Sequence, residues 1–352
     1  MAARWVKKRL TCTPKSKVYG LTQMAKRRVS VGKYRALYRA SAGGLFTILA
    51  LDHQDALRSV MNPAAPMDIS DDEIVAFKHD VVSIVGRKCS GILLDPLYSA
   101  AQAIHNNTVN QIGLLVELEK ADYEMNPLPR VVELRSDWCV AKIKRMGADG
   151  VKLFFYYNPD DVEIAQQQEQ IVSRVVEQCD IYDIPLYAEP IIYPFRDAAD
   201  SAAYATDRAR LVIESAQRIA ELGADVLKLE FPLDIAHNLD EAQWADACRQ
   251  LTNRIDCPWV LLSAGVDYES FRKQVRIACE NGASGYIGGR AIWGEACQFT
   301  ERTERVSWLN KTGTERIDEL SAIVNQYARR WSDVIDCEPV STTWYQSYEG
   351  DE

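Results

Sequence analysis

The amino-acid sequence predicts an α/β fold, a closed (β/α)8 TIM barrel in a single domain. Eight short, nearly continuous apolar runs alternate with helices of amphipathic pattern, and a Gly-Ala-Asp or Gly-Ala-Ser turn opens three of the runs. Such runs are typical of parallel strands that are buried on both faces. Parallel strands joined by crossover helices share one handedness, and eight of these units are enough to close a barrel.

The predicted strands are the eight apolar runs themselves. They cover residues 46–52, 91–96, 112–119, 150–157, 185–193, 225–231, 258–265 and 285–290. An open, doubly wound sheet is the competing arrangement, but no G-x-G-x-x-G motif follows the first run. No linker interrupts the repeat, so we expect a basic N-terminal extension (1–31), a barrel (32–333) and a C-terminal tail (334–352).

Helix boundaries are marked by capping residues. Helices are predicted over 74–88, 160–180, 267–281 and 313–333. Ser70 with Glu73 predicts a capping box before the first of them, and Pro159 is predicted at the N-terminal position of the second. Gly147 and Gly223 are expected to end helices in the left-handed conformation, directly before two of the strands.

The composition is that of a soluble globular protein, with 47% hydrophobic residues and a formal net charge of −9. No run reaches the roughly 18 apolar residues of a membrane span. The N-terminus lacks the apolar core of a secretory signal, so we expect a cytoplasmic protein. Residues 1–39 are basic, and no acidic residue precedes Asp52. This segment suits a peripheral extension; nucleic-acid binding or targeting would also suit it, but the acidic body disfavours nucleic acid as the main partner.

Cysteine and histidine patterns do not indicate a metal site or a disulfide framework. The nine cysteines include no C-x-x-C pair, which predicts reduced and mostly buried thiols. The four histidines are not spaced like metal ligands on one element. We therefore expect neither a metal nor another cofactor.

Strand alternation predicts which side chains enter the barrel. In the run 225–231, Lys228 and Glu230 share one face, and the leucines and the phenylalanine share the other, which must meet the helices. The same alternation predicts that Lys152, Phe154 and Tyr156 point inward from the fourth run, and Tyr187, Glu189 and Ile191 from the fifth. In the first run it predicts that Asp52 points inward at the C-terminal end, two residues after Ala50. The charges of these lysines and carboxylates must compensate one another inside the barrel.

Inward lysines have two explanations. A structural salt-bridge network could fill the barrel, although Val, Ile and Leu normally do so. The chemical alternative is that a second lysine favours the neutral amine of the first, and a neutral amine in a dry pocket attacks carbonyls. Active sites of such barrels lie at the carboxyl ends of the strands, where these residues fall. We therefore expect one lysine to react and the other to tune it.

The loops after the seventh and eighth strands carry an anion-binding pattern. Its residues are Ser263, Ala264 and Gly265, then Gly288, Gly289 and Arg290. Glycines let the backbone approach an anion, and an arginine clamps it with two hydrogen bonds. Two plain tight turns would also explain the glycines, but loops at this place commonly hold a phosphate, which predicts a phosphorylated substrate.

Several longer stretches resemble one enzyme family. The similarity runs from GKYRALYRASAGGLFTILALDHQDALR (32–58) to GYIGGRAIWGEA (285–296), and includes ILLDPLYSA, GADGVKLFFYYNPD, GADVLKLEFP and LLSAGVDYESF. These stretches are similar to the class I tagatose-1,6-bisphosphate aldolase family, whose relatives include sulfofructose phosphate aldolases. The resemblance implies a barrel with a Schiff-base lysine on the sixth strand, at Lys228. It also implies a second lysine at Lys152, an acid/base glutamate at Glu189, the aspartate Asp52, and a C1-phosphate site at residues 263–265 and 288–290.

One segment departs from the family pattern. After the first-strand aspartate the family typically reads Gln-Arg-x-x-Leu, whereas this chain has His53 and Gln54. An arginine there would help to hold an anionic far end of the sugar, so its absence, with Asp55 alongside, argues against a bisphosphate or sulfonate. His53 is expected either to hydrogen-bond a neutral aldehyde portion or to be a structural replacement. Gln54 and Glu230 are further candidates for substrate binding.

The sequence thus predicts a metal-independent aldolase. It would cleave a ketose 1-phosphate or 1,6-bisphosphate to dihydroxyacetone phosphate and an aldehyde. The alternatives are an aldolase for a deoxy, branched or sulfonated ketose phosphate, a non-catalytic sensor that binds a phosphosugar, and a metal-dependent barrel aldolase. A small sugar phosphate is the expected partner, and barrels of this kind usually assemble into homo-oligomers.

Overall fold

The computed structural model of the chain describes residues 26–120, 131–194, 201–346 and 348. Eight parallel strands pair in chain order and the first pairs with the last, which closes a barrel. The strands are β1 (Phe46–Leu51), β2 (Gly91–Leu94), β3 (Gly113–Glu117), β4 (Gly150–Tyr156), β5 (Leu186–Ile191), β6 (Val226–Leu229), β7 (Trp259–Leu262) and β8 (Gly285–Gly288). The predicted (β/α)8 fold is confirmed, and each strand lies within its predicted run.

Helices surround the barrel. They are α1 (Val31–Arg39), α2 (Asp55–Met61), α3 (Asp71–Ile84), α4 (Ala100–His105), α5 (Val140–Arg145), α6 (Val162–Ile181), α7 (Ser201–Glu221), α8 (Glu241–Arg254), α9 (Tyr268–Glu280), α10 (Arg290–Trp293), α11 (Arg302–Trp308) and α12 (Thr314–Tyr327). Outside the barrel, the short strands Arg27–Val29 and Ile335–Cys337 pair in parallel with each other. Within the described ranges, no helix is both long enough and apolar enough to cross a membrane.

The capping predictions are largely confirmed. Ser70 and Glu73 form the predicted capping box of α3, and Gly147 and Gly223 adopt φ of 93° and 107°. The position of Pro159 was wrong: it lies in a turn closed by the amide of Asp161, and α6 begins only at residue 162. Proline fixes the φ that such a turn needs, so its signal fits a turn as well as a helix start.

The predicted end of the last long helix was also wrong. Helix α12 ends at Tyr327 rather than at residue 333. Beyond it the amide of Arg329 donates to the carbonyl of Ala283, and the amide of Trp331 donates to that of Gly44. Contacts with the bottom of the barrel therefore replace the helical hydrogen bonds in this segment.

Alternation along the strands separates an outer core from the barrel interior, as predicted. Leu227, Leu229 and Phe231 pack in the large cluster between the strands and the helices. The lower interior is a separate apolar cluster that includes Phe46, Ile48, Leu93, Leu115, Tyr187, Val226, Val260 and Ile287. The predicted charged interior is thus confined to the upper end of the barrel, above this apolar plug.

The described cysteines fit the prediction of reduced, mostly buried thiols. All eight of them are free, and six are buried. Burial raises the pKa of the Cys89 and Cys257 thiols to about 12, so neither is a thiolate at neutral pH. Cys12 lies outside the described residues.

The aspartates of the two Gly-Ala-Asp turns anchor the N-terminal segment. Asp149 accepts the amide of Leu114 at 3.0 Å and pairs with Arg39 at 2.6 Å. Asp225 is held in the same way, with the Lys33 ammonium at 2.9 Å and the Arg27 guanidinium at 3.6 Å. These three basic side chains therefore belong to the base of the barrel rather than to a peripheral arm.

Lys33→Met is expected to lower the free energy of unfolding by about 3–5 kcal/mol, because it leaves a buried carboxylate without its closest cation. Burial disfavours the charged form of Lys33, but Asp225 and Asp180 outweigh it and raise its pKa. The contribution is therefore complete below the unfolded pKa of about 10.4 and is lost only as the pH rises through the folded value. Urea unfolding at neutral pH measures the loss. A loss no larger than that of Lys26→Met, at an exposed lysine, would contradict the expectation.

Candidate active site

A cavity of about 320 Å³ opens at the carboxyl ends of the barrel strands. Ten of the residues predicted from the sequence line it: Asp52, His53, Glu189, Lys228, Glu230, Ser263, Ala264, Gly265, Gly289 and Arg290. The predicted inward residues Phe154, Tyr156 and Ile191 complete much of the wall. Lys152, Gln54 and Gly288 are not in the lining.

Lys228 projects into the cavity from β6. It lies in register with Val260 of β7. It is two residues after Val226, which belongs to the apolar cluster of the lower interior, so both side chains point into the barrel. Its ammonium lies 2.7 Å from Oε1 of Glu189 and the side chain is 6% exposed. One lysine is therefore accessible from the cavity and in hydrogen-bonding contact with a carboxylate.

Lys152 lies deeper, on β4, and is fully buried. Its Nζ contacts Glu119 at 2.5 Å, Asp52 at 2.8 Å and Oε2 of Glu189 at 3.2 Å. Glu189 thus bridges the two lysines through its two oxygens. Three carboxylates therefore surround Lys152 and compensate its positive charge. The effect of this charge on Lys228 is shared with these carboxylates.

The charges shift the protonation of Asp52 in a definite direction. Burial alone would raise the pKa of Asp52, but the ammonium groups of Lys152 and Lys228 outweigh it and lower the pKa far below its usual range. Asp52 is therefore ionised at any physiological pH. It supplies a fixed negative charge beside both lysines.

Two further carboxylates belong to this cluster and were missed in the sequence. Glu117 is the last residue of β3, Glu119 follows two residues later on the same face, and both are buried. Glu117 is in register with Lys152 and accepts a hydrogen bond from Nε2 of Gln54. Two acidic residues on one face of an otherwise apolar run were the signal that could have identified them.

The carboxylates of Asp52, Glu117 and Glu119 lie within 4.8 Å of one another, a spacing that can hold a cation. The ammonium of Lys152 is already in contact with two of them. A lysine therefore supplies the positive charge in this cluster.

Glu117→Gln is expected to remove part of the pH dependence of stability. Burial and then the nearby Glu119 raise the pKa of Glu117 well above its usual range, so the folded state keeps a proton that the unfolded state releases above about pH 4.3. The contribution of the wild-type carboxyl is thus lost as the pH rises from that value, whereas glutamine mimics the protonated acid at every pH. Urea unfolding at about pH 4 and pH 8 should show a gain for the variant at the higher pH alone. The same difference at both values would contradict this assignment.

The loops after β7 and β8 form the end of the cavity predicted to bind an anion. Ala264 and Gly265 have successive positive φ of 45° and 75°, in a turn closed by the amide of Val266 and the carbonyl of Ser263. The amide of Gly289 donates to the Ser263 hydroxyl at 3.3 Å. A Cβ on Gly265 would lie 3.2 Å from the guanidinium of Arg290, so this glycine lets the arginine cover the turn.

Gly288 has a packing role. A Cβ at this position would lie 2.8 Å from the ring of Phe271, on the helix side of the barrel. The glycine therefore brings helix α9 close to β8. Of the three predicted glycines, Gly265 and Gly289 line the cavity and Gly288 does not.

The three weaker substrate-binding candidates differ in position. His53 lines the cavity, and burial, opposed by Asp52 and reinforced by Arg290, lowers its pKa to about 3, so the ring is neutral. Gln54 is buried, with Oε1 accepting from Arg135 at 2.5 Å and Nε2 donating to Glu117. Glu230 lines the cavity, and its oxygens accept from Arg208 at 2.8 Å and from the Ile192 amide at 3.0 Å.

Other buried residues position the end of β1 and were not apparent from the sequence. The ammonium of Lys78 donates to the carbonyl of Leu51 at 2.9 Å and is paired with buried Asp95. The indole of Trp293 donates to the carbonyl of Ala50 at 2.8 Å. These contacts fix the backbone on both sides of the point where Asp52 enters the cavity.

Comparison with known proteins points to one family. The model of the DeoC/LacD family aldolases matches residues 46–295. Tagatose 1,6-diphosphate aldolase 2 of Enterococcus faecalis is 32% identical over 324 residues, covering 86% of this chain and 96% of that protein. The tagatose 1,6-diphosphate aldolase of Lactococcus lactis is 30% identical, with 83% and 94% covered. A solved archaeal fructose 1,6-bisphosphate aldolase superposes with a TM-score of 0.56 at 17% identity, covering 84% of this chain and 99% of that one, which shows the shared fold.

Proposed function

We propose, from the premise that this chain belongs to the DeoC/LacD family of aldolases and is a carbon–carbon lyase, that it cleaves a ketose 1-phosphate through an imine on Lys228. The family resemblance seen in the sequence is confirmed by these matches. The observation that carries the mechanism is the Lys228 ammonium in the cavity, 2.7 Å from Glu189. The curated relatives are named for a ketose diphosphate, which supports a sugar phosphate as substrate.

The first stage joins substrate and enzyme. Glu189 takes a proton from the Lys228 ammonium, 2.7 Å away, and the neutral amine that results adds to the C2 carbonyl of the ketose and gives a carbinolamine. Glu189 donates a proton to the departing hydroxyl, which leaves as water, and an iminium remains. The contact of Glu189 with both lysines supports this role, because the carboxyl can exchange protons with either of them.

The second stage breaks the C3–C4 bond. Glu189, now ionised, takes the proton of the C4 hydroxyl, the aldehyde leaves, and the electron pair of the broken bond moves into the iminium to give an enamine. The protonated Glu189 then gives this proton to C3 of the enamine. Water hydrolyses the resulting iminium, which releases dihydroxyacetone phosphate and restores Lys228.

Lys152 and Asp52 act as the fixed charges of this scheme. Asp52 is ionised and lies 2.8 Å from Lys152, so it stabilises that ammonium and orients substrate hydroxyls. Lys152, held by three carboxylates, keeps Glu189 within reach of Lys228. The rigid network limits the motion that the acid/base group would otherwise have.

Arg290→Gln is expected to raise the KM for dihydroxyacetone phosphate by roughly 10–100-fold, because charged hydrogen bonds of about 1.5–3 kcal/mol are lost. The exposed guanidinium covers the turn at Gly265 and lines the cavity. Steady-state aldol addition measures the change, with Arg276→Gln, an exposed arginine on α9, as the control. An unchanged KM would mean that the phosphate binds elsewhere.

The proposal is tested by trapping the imine. Wild-type enzyme is mixed with dihydroxyacetone phosphate, reduced with borohydride, and analysed by intact mass and peptide mapping. We expect a single adduct on the peptide that contains Lys228. An adduct on Lys152 would reverse the two lysine roles, and the absence of any adduct would rule out the Schiff-base mechanism.

A further inference from the structure

The cavity has one end suited to an anion and an opposite wall that is mainly apolar. Arg290, Ser263 and Gly289 stand at β7 and β8. In the closed strand order, β4 lies across the barrel from β8. It contributes Phe154 and Tyr156 to the cavity wall, and Ile191 of β5 is the register partner of Tyr156.

Helix α2 presents an apolar face to the same cavity. Ala56 and Val60 line the cavity and are four residues apart, which places them on one side of the helix. Arg58 lies between them in the sequence, and it donates to the carbonyl of Ile69 and to the carboxylate of Asp71 instead. The guanidinium of Arg58 is therefore held by other parts of the protein.

Two other arginines next to the lining are also engaged. Arg208 pairs with Glu230 and donates to the carbonyl of Phe231, and Arg135 donates to Gln54. Among the described residues, the cationic side chains of the lining are Lys228 and Arg290. Lys228 is needed for the imine, so among the described lining residues Arg290 is the cation that remains to bind a phosphate.

The remaining charges in the lining are negative. Asp52, Glu189 and Glu230 all contribute to the cavity wall. A second phosphate, at the far end of the sugar, would lie near these carboxylates and against an apolar wall on which the described residues place no countercharge. Placing like charges together in this way costs several kcal/mol, and an unpaired buried charge costs more.

We infer that the aldehyde half of the substrate carries no phosphate, so that the enzyme prefers a ketose 1-phosphate with an uncharged distal end over a 1,6-bisphosphate. The inference rests on the proposed imine mechanism and deepens it. It also gives His53 a role, because its neutral ring lines the cavity and suits a hydroxyl group better than a phosphate. The apolar wall would pack against the carbon chain of the aldehyde.

The test compares matched aldehydes in aldol addition to dihydroxyacetone phosphate. The pairs are D-glyceraldehyde with its 3-phosphate, and D-erythrose with its 4-phosphate. We expect kcat/KM to be at least roughly tenfold higher for the unphosphorylated member of each pair. Equal values, or a preference for the phosphorylated aldehydes, would overturn the inference.

A variant makes the test specific for the apolar wall. Ile191→Lys places a cation there and should shift the ratio of kcat/KM towards the phosphorylated aldehydes by roughly tenfold. Ile181→Lys makes the same exchange at the exposed end of α6 and should leave the ratio unchanged. The imine is trapped on the same preparations. An intact imine with a preference for phosphorylated aldehydes would overturn this inference alone, whereas a missing imine would overturn the proposed function as well.

Discussion

Lys228→Met is expected to lower kcat by roughly 10⁴-fold or more, the range found when the group that bonds to the substrate is removed. Methionine keeps the length of the side chain but cannot add to a carbonyl. The variant should also lose the borohydride-trapped adduct, while its affinity for phosphate at Arg290 remains. Steady-state kinetics and intact mass measure the two effects.

The control for this variant is Lys273→Met, at an exposed lysine on α9 that pairs with Glu241. Surface pairs contribute about 0–1 kcal/mol, so this variant should behave as wild type. Activity of Lys228→Met above a hundredth of the wild type would show that another residue forms the imine or that the reaction needs none. A hundredfold loss of activity corresponds to about 2.7 kcal/mol of transition-state stabilisation.

Lys152→Met is expected to abolish activity and to destabilise the fold by about 3–5 kcal/mol, because it leaves buried carboxylates without their shared cation. Asp52, Glu119 and Glu189 lose contacts of 2.5–3.2 Å. The double variant Lys152→Met/Glu119→Gln removes one negative charge and should recover part of the stability but not the activity. Urea unfolding and kcat are measured for both.

Lys33→Met is the matched control for this prediction. Both lysines are buried and both hold aspartates, but Lys33 lies at the base of the barrel and Lys152 below the cavity. The two single variants should therefore lose similar stability, and Lys152→Met alone should lose turnover under conditions where both are folded. If both variants kept wild-type kcat, the upper network would be structural.

The sequence was sufficient for the fold because the strands are buried on both faces. Continuous apolar runs mark the strands regardless of their contacts, and glycine at a helix end marks a conformation that other residues avoid. Local sequence signals failed where tertiary contacts determine the ends of a helix. Pro159 suits a turn and a helix start equally, and the end of α12 is set by hydrogen bonds to residues 44 and 283, far away in the chain.

Site residues could be predicted as far as the alternation of side chains along a strand determines which of them point into the barrel. Lys228, Glu189 and Asp52 could be placed from alternation, and all three line the cavity. The environment of Lys152 could not, because its contacts with Asp52 and Glu119 depend on register between separate strands. Gln54 shows a further limit: it lies next to a cavity residue, yet its amide turns to Glu117 and Arg135. The pairs Arg39–Asp149 and Lys33–Asp225 join residues 110 and 192 positions apart, which one sequence does not connect.

The pairing of the first barrel strand with the last affects how the chain can fold. Phe46 is in register with Gly285, and Arg27 is in register with Ile335. During synthesis, one edge of β1 remains unpaired until β8 has left the ribosome. Until then the apolar cluster of the lower interior is exposed to solvent on one side. Contacts of such long sequence separation slow folding and leave apolar edges available to other chains. We therefore expect the newly made protein to depend on chaperones more than its final packing suggests.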